Sequence, residues 1–145
     1  MPIYFEKKPL IEDNIVQIPL LTGARVLIAE DNPVNMMIAR KFLQKWNLQI
    51  TEAHNGAQAI EIFQEKKFDI LLVDLEMPEK DGYSVLQEVR RINASIPVIA
   101  FTASSFENMA IHLKEKGFTD YVQKPFKPEE LHSKLLKFIR NKPAA

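Results

Sequence analysis

A chain of 145 residues is the size of one compact unit that can bury a single good core. Its 46% apolar and 26% charged residues are an ordinary water-soluble mixture, and 19 basic against 19 acidic side chains leave no basic excess of the kind a nucleic-acid face needs. Cysteine is absent, which excludes disulfides, thiolate metal sites and cysteine nucleophiles. No apolar run approaches the roughly 20 residues that cross a bilayer, and MPIYFEKKPL lacks the apolar core of a signal peptide. The expectation is a cytoplasmic piece without nucleic-acid or direct membrane contact.

Residues 1–24 hold Pro2, Pro9 and Pro19 and no sustained period, and read as a linker or N-terminal extension. From Arg25 two patterns alternate through residue 141, with 142–145 left as a tail. VLIA (26–29) reads as a strand, and Asn32-Pro33 opens a helix as N-cap and first helical residue. In that helix Val34, Met37, Ile38, Phe42 and Trp46 recur at three- and four-residue steps and are expected to form its core face. LQIT (48–51) is the second strand and Ala57, Ile60 and Phe63 mark the second helix. DILLVD (69–74) is the third strand, followed by Val85, Leu86, Val89 and Ile92 on a third helix. IPVIAF (96–101) precedes a helix carrying Met109, Ala110 and Leu113. TDYVQ (119–123) precedes a last helix that begins at Pro128, carries Glu129 and Glu130 in its first turn, and has Leu131, Leu135, Phe138 and Ile139 as its apolar face.

Five strands alternating with five helices imply an α/β doubly wound domain, a mostly parallel sheet covered on both faces. Ligands of such sheets sit at the carboxyl ends of the strands, so the residues just past each strand carry the argument. Glu30 and Asp31 follow the first, Asp74 ends the third, Thr102 follows the fourth and Lys124 follows the fifth. Three acids gathered at one edge raise one another's pKa unless a cation intervenes. Ligands that are all oxygen and few in number favour Mg²⁺ with retained waters. Three carboxylates, Mg²⁺ and Lys124 sum to zero charge, a compensated site for an arriving phosphoryl group. A second Glu-Asp-Asn, Glu12-Asp13-Asn14, follows no apolar strand and is read as a decoy.

The segments VLIAEDN, DILLVDLEMPEKDG, IPVIAFTAS and DYVQKPF resemble the receiver domain of two-component response regulators over residues 24 to 140. The resemblance implies a single (βα)5 flavodoxin-like domain with strand order 2-1-3-4-5. It implies that Asp74 is the phosphoacceptor, taking a phosphoryl group from a phosphohistidine on a histidine kinase domain or histidine phosphotransfer protein. Glu30, Asp31, Asp74 and the backbone carbonyl of Glu76 would hold Mg²⁺. Thr102 and Lys124 would contact phosphoryl oxygens, and the Lys124-Pro125 bond would be cis. Thr102 and Tyr121 would form the switch, Tyr121 turning inward as Thr102 moves. EDNPVN and the preceding PLLTGARVL resemble receivers joined to hybrid sensor histidine kinases, so a piece of such a kinase, monomeric by itself, is expected. It would then be the cytoplasmic part of a membrane-bound sensor; a stand-alone single-domain regulator would read similarly.

Three rivals are weaker. Asp74-Leu75-Glu76 echoes the nucleophile of haloacid-dehalogenase phosphohydrolases, but those enzymes place it after their first strand. A flavodoxin-like flavin carrier would need hydroxyls and glycines where Glu30 and Asp31 stand. A degenerate receiver that only binds a partner would not fill all five positions. His54, His112 and His132 lie off the strand ends and are expected at the surface; Met36, Met37, Met77 and Met109 are expected to pack.

Overall fold

The computed structural model describes residues 21–77, 79–104 and 107–140. The Glu12-Asp13-Asn14 copy, most of the expected N-terminal extension and the 142–145 tail lie outside the described residues. Strands and helices alternate as β1 Arg25–Ala29, α1 Pro33–Lys45, β2 Gln49–Ala53, α2 Gly56–Glu65, β3 Ile70–Asp74, α3 Gly82–Ile92, β4 Val98–Thr102, α4 Met109–Lys116, β5 Asp120–Gln123 and α5 Pro128–Arg140. The strands form one sheet in the order β2-β1-β3-β4-β5, every pair parallel. This is the expected doubly wound arrangement, with strand order reversing between β1 and β3.

The two faces of the sheet divide the core. Leu27, Leu71, Val73 and Ala100 pack against α2, α3 and α4 through Phe63, Val85, Val89 and Leu113. Ile28, Leu72, Ile99 and Phe101 pack the other way, against Met36 and Leu43 of α1 and Leu131 and Leu135 of α5. Covering both faces explains why β3 and β4 are apolar at nearly every position and buried throughout. Leu21 is fully buried in the second cluster, and the Gly23 N–H donates to the Asn47 carbonyl at 3.0 Å, so packing starts four residues ahead of β1.

Side-chain caps fix where three helices begin. Asn32 Oδ1 accepts from the N–H groups of Val34 and Asn35 at 2.9 and 3.0 Å, with Pro33 behind it as expected. Asn55 caps α2 through Gln58 and Asp81 caps α3 through Ser84. α4 differs: Asn108 stands at φ 63° with no side-chain cap, while Gly117 closes the helix at φ 115°.

The expected core face of α1 is wrong. Met36, Ala39 and Leu43 are buried, whereas Val34, Met37 and Ile38 are 59, 52 and 41% exposed. Phe42 and Trp46 are half-buried along the side of the helix. Apolar residues occupy 34, 36, 37, 38, 39, 42, 43 and 46, so spacing admits two helix phases. The phase that wins seats small Ala39 and the flexible Met36 on the sheet. Smaller shifts recur elsewhere. Ala57 and Ala110 are exposed while Ala59 is buried, and Ile92 at the end of α3 is 44% exposed.

Candidate active site

Register explains why distant residues meet. Ala29 pairs with Val73 and Asp74 with Phe101, so Glu30 and Asp74 arrive side by side, with Thr102 one residue further on the next strand. The Lys124 N–H donates to the Thr102 carbonyl at 2.8 Å and holds the lysine beside them. The Lys124–Pro125 bond is cis, as the resemblance implies.

Glu30 is 1% exposed and Asp74 2%, a pair of acids almost out of water; Asp31 is exposed at the rim. One carboxylate oxygen from each of the three lies within 4.8 Å of the others. Lys124 Nζ sits 2.7 Å from Glu30 Oε1 and 3.1 Å from Asp74 Oδ2. Glu30 Oε1 is buried and has the Lys124 ammonium as its close partner. Glu30 Oε2 accepts from the Asn32 N–H at 3.1 Å, and Asp74 Oδ1 from the Glu76 N–H at 3.1 Å. One cation against three acids leaves the edge short of positive charge, and carboxylate oxygens gathered this closely suit a divalent ion. The residues therefore fit Mg²⁺.

Titration follows from this crowding. Burial pushes the Asp74 carboxyl up from 3.8 to about 6, with Glu30 adding to the rise and the Glu76 N–H and Lys124 opposing it. Burial alone would lower the Lys124 ammonium, but Glu30 and Asp74 outweigh it and the net shift is upward.

The remaining expected residues are nearby with different partners. Thr102 is fully buried, and its Oγ1 accepts from the Ser104 N–H at 3.0 Å and faces the Ser104 carbonyl at 3.4 Å. The Glu76 side chain is exposed and accepts from Ser104 Oγ at 3.1 Å, a bridge between the loops after β3 and β4. Tyr121 is half-buried against the α2–α4 side of the core; Lys134 Nζ lies 5.2 Å from its ring centre and donates to its carbonyl at 2.5 Å.

Sequence reasoning missed an aromatic file leading away from this edge. Phe101 stacks on Phe126 at 5.9 Å, Phe126 meets Phe42 edge-on at 5.9 Å, and Phe42 leads to Trp46 at 6.0 Å. His132, expected at the surface, completes the file edge-on to Trp46 at 4.9 Å, half-buried and with its pKa lowered by burial. It lies on α5, where i+4 spacing from Pro128 gave no sign of a ring on the facing helix. A narrow cleft lined by Glu30, Ile38, Lys124, Pro125 and Phe126 joins this file to the acids.

Residues 26–136 match the family model of the response regulator receiver domain. The chain belongs to that family. Among curated proteins it is 31% identical, over 94% of its own length and 6% of the other's, to the peroxide stress-activated histidine kinase mak3 of Schizosaccharomyces pombe. It is 30% identical over 92% of its length, and 21% of the other's, to the transcription factor SKN7 of Saccharomyces cerevisiae. The receiver domain thus spans a small part of these relatives. A similar solved structure is the receiver domain of the sensor histidine kinase PA1611 from Pseudomonas aeruginosa, with a magnesium ion coordinated in its active site cleft. It shares 32% identity at a TM-score of 0.76, covering 83% of this chain and all of that one. Family membership removes the phosphohydrolase and flavin-carrier rivals, and the receiver domain is a module of two-component signalling. No helix among the described residues is long and apolar enough to cross a membrane.

Proposed function

We propose that this receiver domain accepts a phosphoryl group from a phosphohistidine onto Asp74. The observation that carries the reading is the buried Glu30–Lys124–Asp74 contact with Asp31 at its rim. An Asp74 carboxylate oxygen attacks phosphorus, the P–N bond breaks, and the imidazole leaves with its electron pair to be protonated by water. The protein needs only a positioned nucleophile and charge compensation. Lys124 turns from Asp74 toward a phosphoryl oxygen, and Thr102 exchanges its Ser104 contact for another. Glu30, Asp31, Asp74 and the Glu76 carbonyl would hold Mg²⁺, which when bound neutralises charge on the phosphoryl oxygens. As Thr102 moves, Tyr121 turns inward and changes the surface of α4, β5 and α5.

The donor docks on α1. Val34, Met37 and Ile38 form an exposed apolar stripe, and Ile38 continues into the cleft that ends at Lys124. Exposed apolar residues three and four apart beside a reactive group suit a helical phosphohistidine domain. The chain acts within a sensor kinase, on its cytoplasmic side; EDNPVN and the likeness to mak3 support that placement. A regulator carrying a different output is the second reading, supported by the likeness to SKN7. Transfer from a radiolabelled phosphohistidine domain tests the core of the proposal. Label should move to the wild-type chain as an alkali-labile acyl phosphate and stay on the donor with Asp74→Asn; label on the variant sinks it.

A further inference from the structure

We infer that Met37 is an oxidation site through which peroxides control phosphoryl transfer to this domain; this rests on the α1 docking reading. Four methionines lie in the described residues. Met36, Met77 and Met109 are 2, 8 and 4% exposed, whereas Met37 is 52% exposed. A thioether reacts according to its access, so among these four an oxidant in solution meets Met37 first. Adjacent Met36 has the same chemistry and the same helix but faces the sheet, and provides an internal control.

The position gives the modification a consequence. Met37 stands beside Val34, 59% exposed, and Ile38, 41% exposed, in the middle of the apolar stripe next to the Lys124 cleft. Its sulfur attacks one peroxide oxygen; the O–O bond breaks, an S–O bond forms, and the second oxygen leaves as hydroxide and becomes water. Sulfur loses two electrons and the peroxide gains them. The product is a polar sulfoxide in the centre of an apolar contact, which a docking partner must desolvate. The Asp74 edge itself is not oxidised, because Glu30, Asp74, Thr102 and Lys124 carry no thioether. Reduction by a methionine sulfoxide reductase restores the thioether.

The test treats the full chain with graded hydrogen peroxide and maps oxygen uptake by tandem mass spectrometry, where fragments between residues 36 and 37 separate the neighbours. Met37 should oxidise well before Met36, Met77 and Met109; equal or later oxidation overturns the inference. Phosphoryl transfer is then compared between a phosphorylated histidine phosphotransfer domain, chosen as the fastest donor to the untreated chain, and acetyl phosphate. The KM for the protein donor should rise at least about fivefold relative to the acetyl phosphate rate, the scale of a significant interface residue. Reductase treatment should reverse the rise, and Met37→Leu should show no change on peroxide treatment. Ile38→Asp separates the two levels of the argument. If Ile38→Asp raises KM but the sulfoxide does not, docking on α1 stands and oxidative control is overturned. If neither changes KM, the docking reading itself is overturned and this inference with it.

Discussion

Asp74 and Glu30 are held out of water with a single ammonium between them, and the free energy of that arrangement depends on pH. Because the folded-state pKa of Asp74 is raised, from 3.8 to about 6, the folded chain binds the proton more tightly than the unfolded one between those values. Stability contributed at this position therefore falls as pH rises through that window and stays low above it. Asp74→Asn removes the penalty. In metal-free buffer the variant should be more stable than wild type above pH 6, by on the order of 2 kcal/mol, and the gap should close toward pH 4. Urea melts at a series of pH values measure this, and a gap independent of pH would contradict it. Added Mg²⁺ should narrow the gap by stabilising only the wild type. Lys124→Met acts in the opposite sense. It leaves two buried carboxylates without their cation, so metal-free stability should drop by about 3 kcal/mol at pH 7, and an unchanged denaturation midpoint would show that water compensates the acids. These residues could be read from the sequence because each stands at a strand end, where chain order alone places it. The Thr102–Ser104 and Glu76–Ser104 bonds could not, because loop conformation decides them.

At the scale of elements, two close approaches fix the loop that carries Glu76. A methyl group on Gly82 would lie 2.6 Å from the Asp74 carbonyl oxygen, and one on Gly56 would lie 1.9 Å from that of Lys80. Both meet backbone, so neither clash is relieved by a side-chain rotation. Gly82→Ala should displace the Asp74 backbone and weaken Mg²⁺ affinity at least about tenfold, by analogy with the loss of a supporting group around metal ligands. Mg²⁺ titration followed by Trp46 fluorescence or calorimetry tests it, and unchanged affinity would mean that the loop yields without moving Asp74. The two faces of α1 make a separate contrast. Leu43→Ala should cost about 2–5 kcal/mol, and Ile38→Ala under about 0.5 kcal/mol. Comparable losses in urea would restore the phase that spacing suggested. Strand and helix positions were legible because β-branched runs, Asn-Pro and Pro-Glu-Glu mark boundaries chemically, whereas the strand order came only with the family resemblance. The phase of α1 was not, since eight apolar residues within 34–46 satisfy two stripes and only packing against Ile28 and Leu72 decides between them.

For the whole molecule, one parallel sheet puts Glu30, Asp74, Thr102 and Lys124 at a single edge; in the proposed switch, α4, β5 and α5 report a change there. Two features adjoin the Asp74 edge: the aromatic file from Phe101 through Phe126 to α1 and α5, and the Thr102–Ser104 contact. The proposed function rests on Asp74 taking up a phosphoryl group. The most direct test is intact mass after incubation with a small-molecule phosphodonor such as acetyl phosphate, with and without Mg²⁺, for wild type and Asp74→Asn. One phosphoryl adduct is expected on the wild type, dependent on Mg²⁺, absent from the variant and located at Asp74 by fragmentation. An adduct that persists in Asp74→Asn, or one that forms equally well without a divalent ion, would contradict it.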